Sequence, residues 1–211
     1  MLIEIYQDVV CPWCRIGKKN LFDALSDWKA RTGTEPTIQY RAYQLDPNLP
    51  PEGMPFMKSM THKSGSSESV RRMMEHVTGA GADVGLTFRF DQVSWMPNTR
   101  MAHRLIALTP EAQRTELIDS LFRAYFEEGV TLSRQEELLA IGEAAGWQRE
   151  QLAARLNNGE GSAEVDDDLE RGKRLGISGV PLFIFNRKYA LSGAYPKSEM
   201  LLLLDRFHTD A

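Results

Sequence analysis

The chain has 211 residues, 42% of them hydrophobic and 26% charged, with a formal net charge of −4. That balance is ordinary for a globular protein and argues against nucleic acid or an anionic membrane as the principal partner. No apolar run approaches the roughly 20 residues that a membrane-spanning helix needs, and the N-terminal segment has no basic n-region, so a cytoplasmic location is expected.

Residues 2–6 alternate apolar and polar side chains around Glu4 and predict a first strand. Cys11-Pro12-Trp13-Cys14 follows, and a helix is expected over 15–31, stopped by Gly33. Ile38, Tyr40 and Ala42 alternate in a second strand over 37–43. Pro47, Pro50, Pro51, Gly53 and Pro55 then break regular structure and mark a boundary.

Beyond it the period becomes helical. Val70, Met73, Met74 and Val77 mark a helix over 66–79, and Met101, Leu105, Ile106 and Leu108 another over 97–108. Thr109-Pro110 reads as an N-cap and first-turn proline for the next helix, which carries Leu117, Leu121, Phe122 and Phe126. Ser133 with Glu136 forms a capping box for a further helix, which Gly146 ends. A short helix over 152–156 and a charged one over 162–175 complete this middle part. Leu182-Phe183-Ile184-Phe185 is apolar enough for a buried strand, and Asn186-Arg187-Lys188 turns the chain into a partner strand. Pro196 opens a last helix with Met200, Leu204 and Phe207 inward.

The chain contains two cysteines, both in the Cys11–Cys14 motif. A Cys-x-x-Cys that leaves a strand and opens a helix is the arrangement of thioredoxin-like redox centres. Unpaired N–H groups and the helix dipole stabilise a thiolate placed there. Structural zinc usually takes four ligands, and the four histidines are scattered, so no metal is expected. An inert disulfide closing so short a loop would stabilise little. The element order is β-α-β, helices, then β-β-α. This order predicts an α/β thioredoxin fold with an all-helical domain inserted between its halves, with 1–50 and 176–211 expected to form the divided domain and 51–175 the insertion.

Asp8-Val9-Val10-Cys11-Pro12-Trp13-Cys14-Arg15-Ile16-Gly17, together with Gly179-Val180-Pro181-Leu182-Phe183, resembles the DsbA-like thioredoxin-fold oxidoreductase family, within it the cytosolic FrnE-type subfamily. Pro97 to Arg104 and Leu121 to Phe126 also resemble that subfamily's helical segments. The resemblance implies a thiol–disulfide oxidoreductase acting on protein or small-molecule thiols. It also implies a cis Pro181 facing the cysteines and the Val180 backbone beside them, ready to pair with an extended substrate. No cofactor is expected beyond the cysteine pair, with glutathione as a possible exchange partner.

Cys11 is the expected attacking thiolate, exposed to solvent, and Cys14 the shielded resolving thiol. Pro12 fixes the first helical turn and Trp13 offers substrate an apolar face without charge. Arg15 reads as a surface arginine. Glu4, on a strand expected to be central, has two readings: a solvent-reaching glutamate, or a buried proton acceptor for Cys14 with a raised pKa, as in the wider superfamily. Asp8 is expected to accept loop N–H groups. Asn98 is an N-cap candidate that the resemblance places near the active site as a binding residue. The methionines from Met54 to Met101 suit a helical core better than a binding groove, though both readings stand. Two rival functions remain open: a glutathione-dependent transferase or isomerase of the same architecture, and a non-catalytic holdase or binding module.

Overall fold

In the computed structural model, which describes residues 1–209, strand β1 (Leu2–Gln7) leads through a four-residue loop into α1 (Pro12–Thr32). Cys14, Leu21, Ala24 and Trp28 recur at helical spacing along its buried side, and Gly33 ends it with φ +70° and its N–H on Lys29 O. β2 (Thr37–Ala42) returns parallel to β1, Leu2 opposite Thr37. The central part then runs β3 (Met54–Pro55), α2 (Phe56–Ser64), α3 (Ser67–Ala82), β4 (Trp95–Met96), α4 (Arg100–Leu108) and α5 (Glu111–Phe126). It continues with α6 (Gln135–Ala144), α7 (Arg149–Asn157) and α8 (Ser162–Arg174). β5 (Leu182–Phe185), β6 (Tyr189–Ser192) and α9 (Lys197–Thr209) close the chain.

The main sheet has the order β2-β1-β5-β6, with β5 antiparallel to β1 and β6 antiparallel to β5. The expected fold class is thus present: helices lie between a β-α-β half and a β-β-α half. Residues 210 and 211, assigned to the second half from sequence, lie outside the described residues. Asn186 and Arg187 both take positive φ (51° and 59°), and Lys188 N–H reaches Phe185 O, the mirror-image turn that suits a twisted hairpin.

The period-two geometry of strands assigns the two faces of the sheet. Ile3, Ile5, Phe183 and Phe185 are fully buried on the side that α1 covers, where a Cβ on Gly17 would meet the Phe183 ring at 3.2 Å. Glu4 and Tyr6 point to the other side, where α8 brings Gly172 against the Tyr6 ring. Removing each large apolar side chain from water contributes about 1.5–3 kcal/mol before chain entropy is subtracted.

Three local expectations need correction. The proline-rich boundary also holds strand β3, whose Met54 pairs with Met96 of the distant β4, and leads directly into a helix, α2, that Pro55 precedes. Thr109 ends α4 instead of capping α5: its hydroxyl donates to Leu105 O and accepts from Trp147 Nε1. Ser133 and Glu136 form no capping box, because Ser133 donates to Glu52 O and Glu136 pairs with Arg149. Thr109 and Ser133 each also engage a residue distant in sequence, Trp147 and Glu52.

Candidate active site

The loop after β1 is fixed by Cys11 N–H donating to Asp8 O at 2.9 Å. This leaves Cys11 extended (φ −92°, ψ 109°) as the N-cap of α1, with Pro12 in the first turn. Its Sγ takes the place of a capping oxygen, accepting Cys14 N–H at 3.2 Å. On the other side Cys11 Sγ lies 3.6 Å from Val180 O, across 169 residues of chain. The Val180–Pro181 bond is cis. Gly17 lets α1 approach this loop, since a Cβ there would sit 3.1 Å from Pro181 Cγ. Cys11, Cys14, Val180 and Pro181 therefore meet at one end of the sheet, and the two cysteines are unbridged.

Both thiols are buried, Cys11 at 3% exposure and Cys14 at 1%, so the expected contrast in exposure is absent. Access separates them instead. Cys11, Pro12, Trp13 and Val180 line a cavity of about 350 Å³, and Cys14 is absent from its wall. Burial pushes the Cys14 thiol well above its ordinary pKa, the hydrogen bond and charge of Cys11 add to the rise, and Asp8 opposes it through a backbone hydrogen bond while its charge adds to it.

Met60, Met73, Met74 and Met96 line the same cavity, so these methionines form a binding wall as well as core. The Trp13 ring packs against His76 of α3 at 5.5 Å. Motif and insertion therefore share one wall.

The acidic group beside Cys14 is Asp8. Its Oδ2 accepts Leu45 N–H at 2.8 Å, as expected for a loop acceptor. Its Oδ1 lies 3.2 Å from His103 Nε2 on α4, and both side chains are buried. Facing a carboxylate, that ring nitrogen is the donor. This pair escaped the sequence reading. The available signal was His103 on the apolar stripe of α4 beside Ala102 and Ile106, a polar residue where burial demands a partner.

Glu4 is fully buried, as the functional reading requires, but its environment reverses the expected titration. Burial pushes its carboxyl up, yet hydrogen bonds and charge from Arg171 and Arg41 outweigh this and leave it below the ordinary value. Arg171 Nη2 donates to Oε2 at 2.8 Å and Arg41 Nη2 to Oε1 at 3.0 Å. Arg41 also meets Asp168. Glu4 joins β1, β2 and α8 on the side of the sheet away from α1, so it is not placed as Cys14's acceptor.

Asn98 spends its side chain on structure and is absent from the cavity wall. It donates to Leu49 O at 2.8 Å and accepts from Arg100 N–H and Gln44 Nε2. Arg15 is buried instead of exposed: it donates to Thr87 O, pairs with Glu127 and stacks over the Phe88 ring. No helix among the described residues is long and apolar enough to cross a membrane.

Residues 2–204 match the DSBA-like thioredoxin domain. No curated protein matches the chain. Among solved structures, a probable DsbA oxidoreductase from Streptomyces coelicolor is 28% identical with a TM-score of 0.91, covering 100% of this chain and 91% of that one. The cytosolic disulfide reductase DsbM from Pseudomonas aeruginosa, solved with GSH, is 19% identical with a TM-score of 0.64, covering 99% and 100%. A 2-hydroxychromene-2-carboxylate isomerase is 17% identical with a TM-score of 0.67, covering 99% and 95%. At those lower identities the likeness is one of fold. With the thiol pair at the start of α1 and the family match spanning nearly its whole length, the chain belongs to the DSBA-like thioredoxin domain family.

Proposed function

We propose that this protein is a cytoplasmic thiol–disulfide oxidoreductase of the FrnE type, in which Cys11 attacks and Cys14 resolves. The observation that carries the reading is the position of Cys11 Sγ. It caps the N-terminus of α1, where N–H groups stabilise negative charge, and it lines the cavity while Cys14 does not. The Cys11 thiolate attacks a substrate disulfide, forming a mixed disulfide and expelling one substrate thiolate. Cys14 then loses its proton and attacks Cys11 Sγ, which forms the Cys11–Cys14 disulfide and releases the second thiolate. The pair carries both electrons, so no cofactor is required. Protein or small-molecule thiols and disulfides are the proposed partners, and the glutathione in the Pseudomonas aeruginosa neighbour makes it the first small thiol to titrate.

Insulin reduction with dithiothreitol, followed by trapping from lysate, tests this reading. Cys11→Ser is expected to lose activity and trap nothing. Cys14→Ser is expected to accumulate mixed disulfides, because attack proceeds while release by the second thiol cannot. Undiminished turnover without Cys11 would overturn the proposal and favour a glutathione-dependent or purely binding role.

A further inference from the structure

A second cavity, of about 300 Å³, lies between α1 and α5 and shares no lining residue with the one at Cys11. Its size is at the lower end of the roughly 300–1,000 Å³ typical of small-molecule sites. Phe22 of α1 and Leu86, in the segment after α3, supply its apolar surface. Four cations and a single carboxylate, Asp119, line the rest.

Two of those cations are committed to structure. Arg15 donates to Thr87 O and pairs with Glu127, and Lys19 pairs with Asp23 one turn along α1. The other two have donors to spare. Lys18 is buried, its side chain 7% exposed, with Nζ 4.6 Å from the centre of the Phe22 ring. An ammonium has three donors, and among the described residues Lys18 uses one, to Asp119 Oδ1 at 2.7 Å. Burial holds the Lys18 ammonium below its ordinary pKa; Asp119 opposes that shift, and the charge of Arg123 adds to it. Arg123, exposed on α5, has five guanidinium donors. It gives one to Ser120 Oγ at 3.1 Å and has no ion-pair partner among the described residues.

A buried ammonium and an unpaired guanidinium therefore line one cavity, where the half-exposed Asp119 pairs with Lys18 alone. A ligand carboxylate would only duplicate Asp119. A phosphate monoester carries close to two negative charges and three strong acceptor oxygens, so it can accept from Lys18 and Arg123 together. We infer that this cavity binds a small organic phosphate, its phosphate group held by Lys18 and Arg123 and its apolar body against Phe22 and Leu86. The site is separate from the thiol pair, so its occupancy does not depend on disulfide exchange.

The test is calorimetric titration of the full reduced chain at about pH 7.5, above the second phosphate pKa of about 6. Phenyl phosphate, inorganic phosphate and benzoate are the probes. Phenyl phosphate is expected to saturate a single site with a Kd below about 1 mM, at least about fivefold tighter than either of the others. Arg123→Gln is expected to weaken it at least about fivefold while insulin reduction stays at the parent level. Asp119→Asn removes the competing charge, keeps an oxygen for Lys18, and should tighten binding several-fold. Phe22→Leu should weaken phenyl phosphate and leave inorganic phosphate unchanged. No saturable binding, parent affinity in Arg123→Gln, or no tightening in Asp119→Asn would overturn the assignment. Inorganic phosphate or benzoate binding as tightly as phenyl phosphate would overturn it as well. A parent chain that binds phenyl phosphate but exchanges no disulfide would keep this site and remove only the proposed function.

Discussion

A buried thiol beside a carboxylate resists ionisation, and Cys14 is such a thiol. Desolvation is the largest cause, the hydrogen bond and charge of Cys11 come next, and Asp8 acts in two opposed ways: its backbone hydrogen bond lowers the value and its carboxylate charge raises it. Removing that charge must lower the Cys14 pKa. In a Cys11→Ser background, which leaves Cys14 as the only thiol, Asp8→Asn is expected to move the alkylation profile toward lower pH. The carboxamide oxygen retains an acceptor for Leu45 N–H, so the loop has a means of keeping its place. An unmoved profile would show that Asp8 does not act on Cys14. At this scale the sequence was legible where chemistry is contiguous. Cys11 and Cys14 declare themselves by spacing, but the pairing of Asp8 with His103 depends on α4 packing beside the motif. Glu4 misled for a related reason: burial alone implies a raised pKa, and the arginines that reverse it arrive from β2 and α8.

The junction between α1 and the Pro181 loop depends on one missing side chain. A Cβ on Gly17 would meet Pro181 Cγ at 3.1 Å, Phe183 Cζ at 3.2 Å and the Ala194 backbone at 3.3 Å. A mid-helix alanine would normally gain up to about 1 kcal/mol over glycine, and three crowded neighbours offset that gain. Gly17→Val adds a Cβ and two methyl groups where no space exists and is expected to cost about 1–3 kcal/mol. It should also slow Cys11-dependent exchange, because α1 and the Val180 carbonyl must move apart. Urea midpoints and insulin turnover measure the two effects, and a variant as stable and as active as the parent would contradict the packing argument. The long helices and the apolar β5 were readable because their periodicity persists over many residues. The β3–β4 ribbon was not, since two-residue strands carry no period and their pairing joins distant parts of the chain.

Across the whole molecule, charge pairs tie the sheet and α1 to the helices placed between the two halves. Glu4 on β1 meets Arg171 on α8, Arg41 on β2 meets Asp168 on α8, and Lys18 on α1 meets Asp119 on α5. One apolar cluster also runs from Ile3 and Trp28 through Phe126 to Leu152. Shared packing of this kind predicts that both parts unfold together, with tryptophan fluorescence and far-UV circular dichroism giving the same urea midpoint. Glu4→Gln tests the ionic part of that coupling. The folded-state pKa of Glu4 lies below its reference value of 4.5. Its ion pairs therefore contribute fully above that value and are lost as pH falls through the folded value. Breaking a fully buried pair typically costs 3–5 kcal/mol, but Arg41 and Arg171 remain partly solvated, so a loss of about 2 kcal/mol is expected at pH 7. The gap between parent and variant should narrow below pH 4.5 as the parent carboxylate takes up its proton. A gap that stays constant down to about pH 3, well below the ordinary range of a free glutamate, would show that the ion pairs do not supply the coupling. Separate transitions for the two probes would show that the helical part folds independently of the sheet.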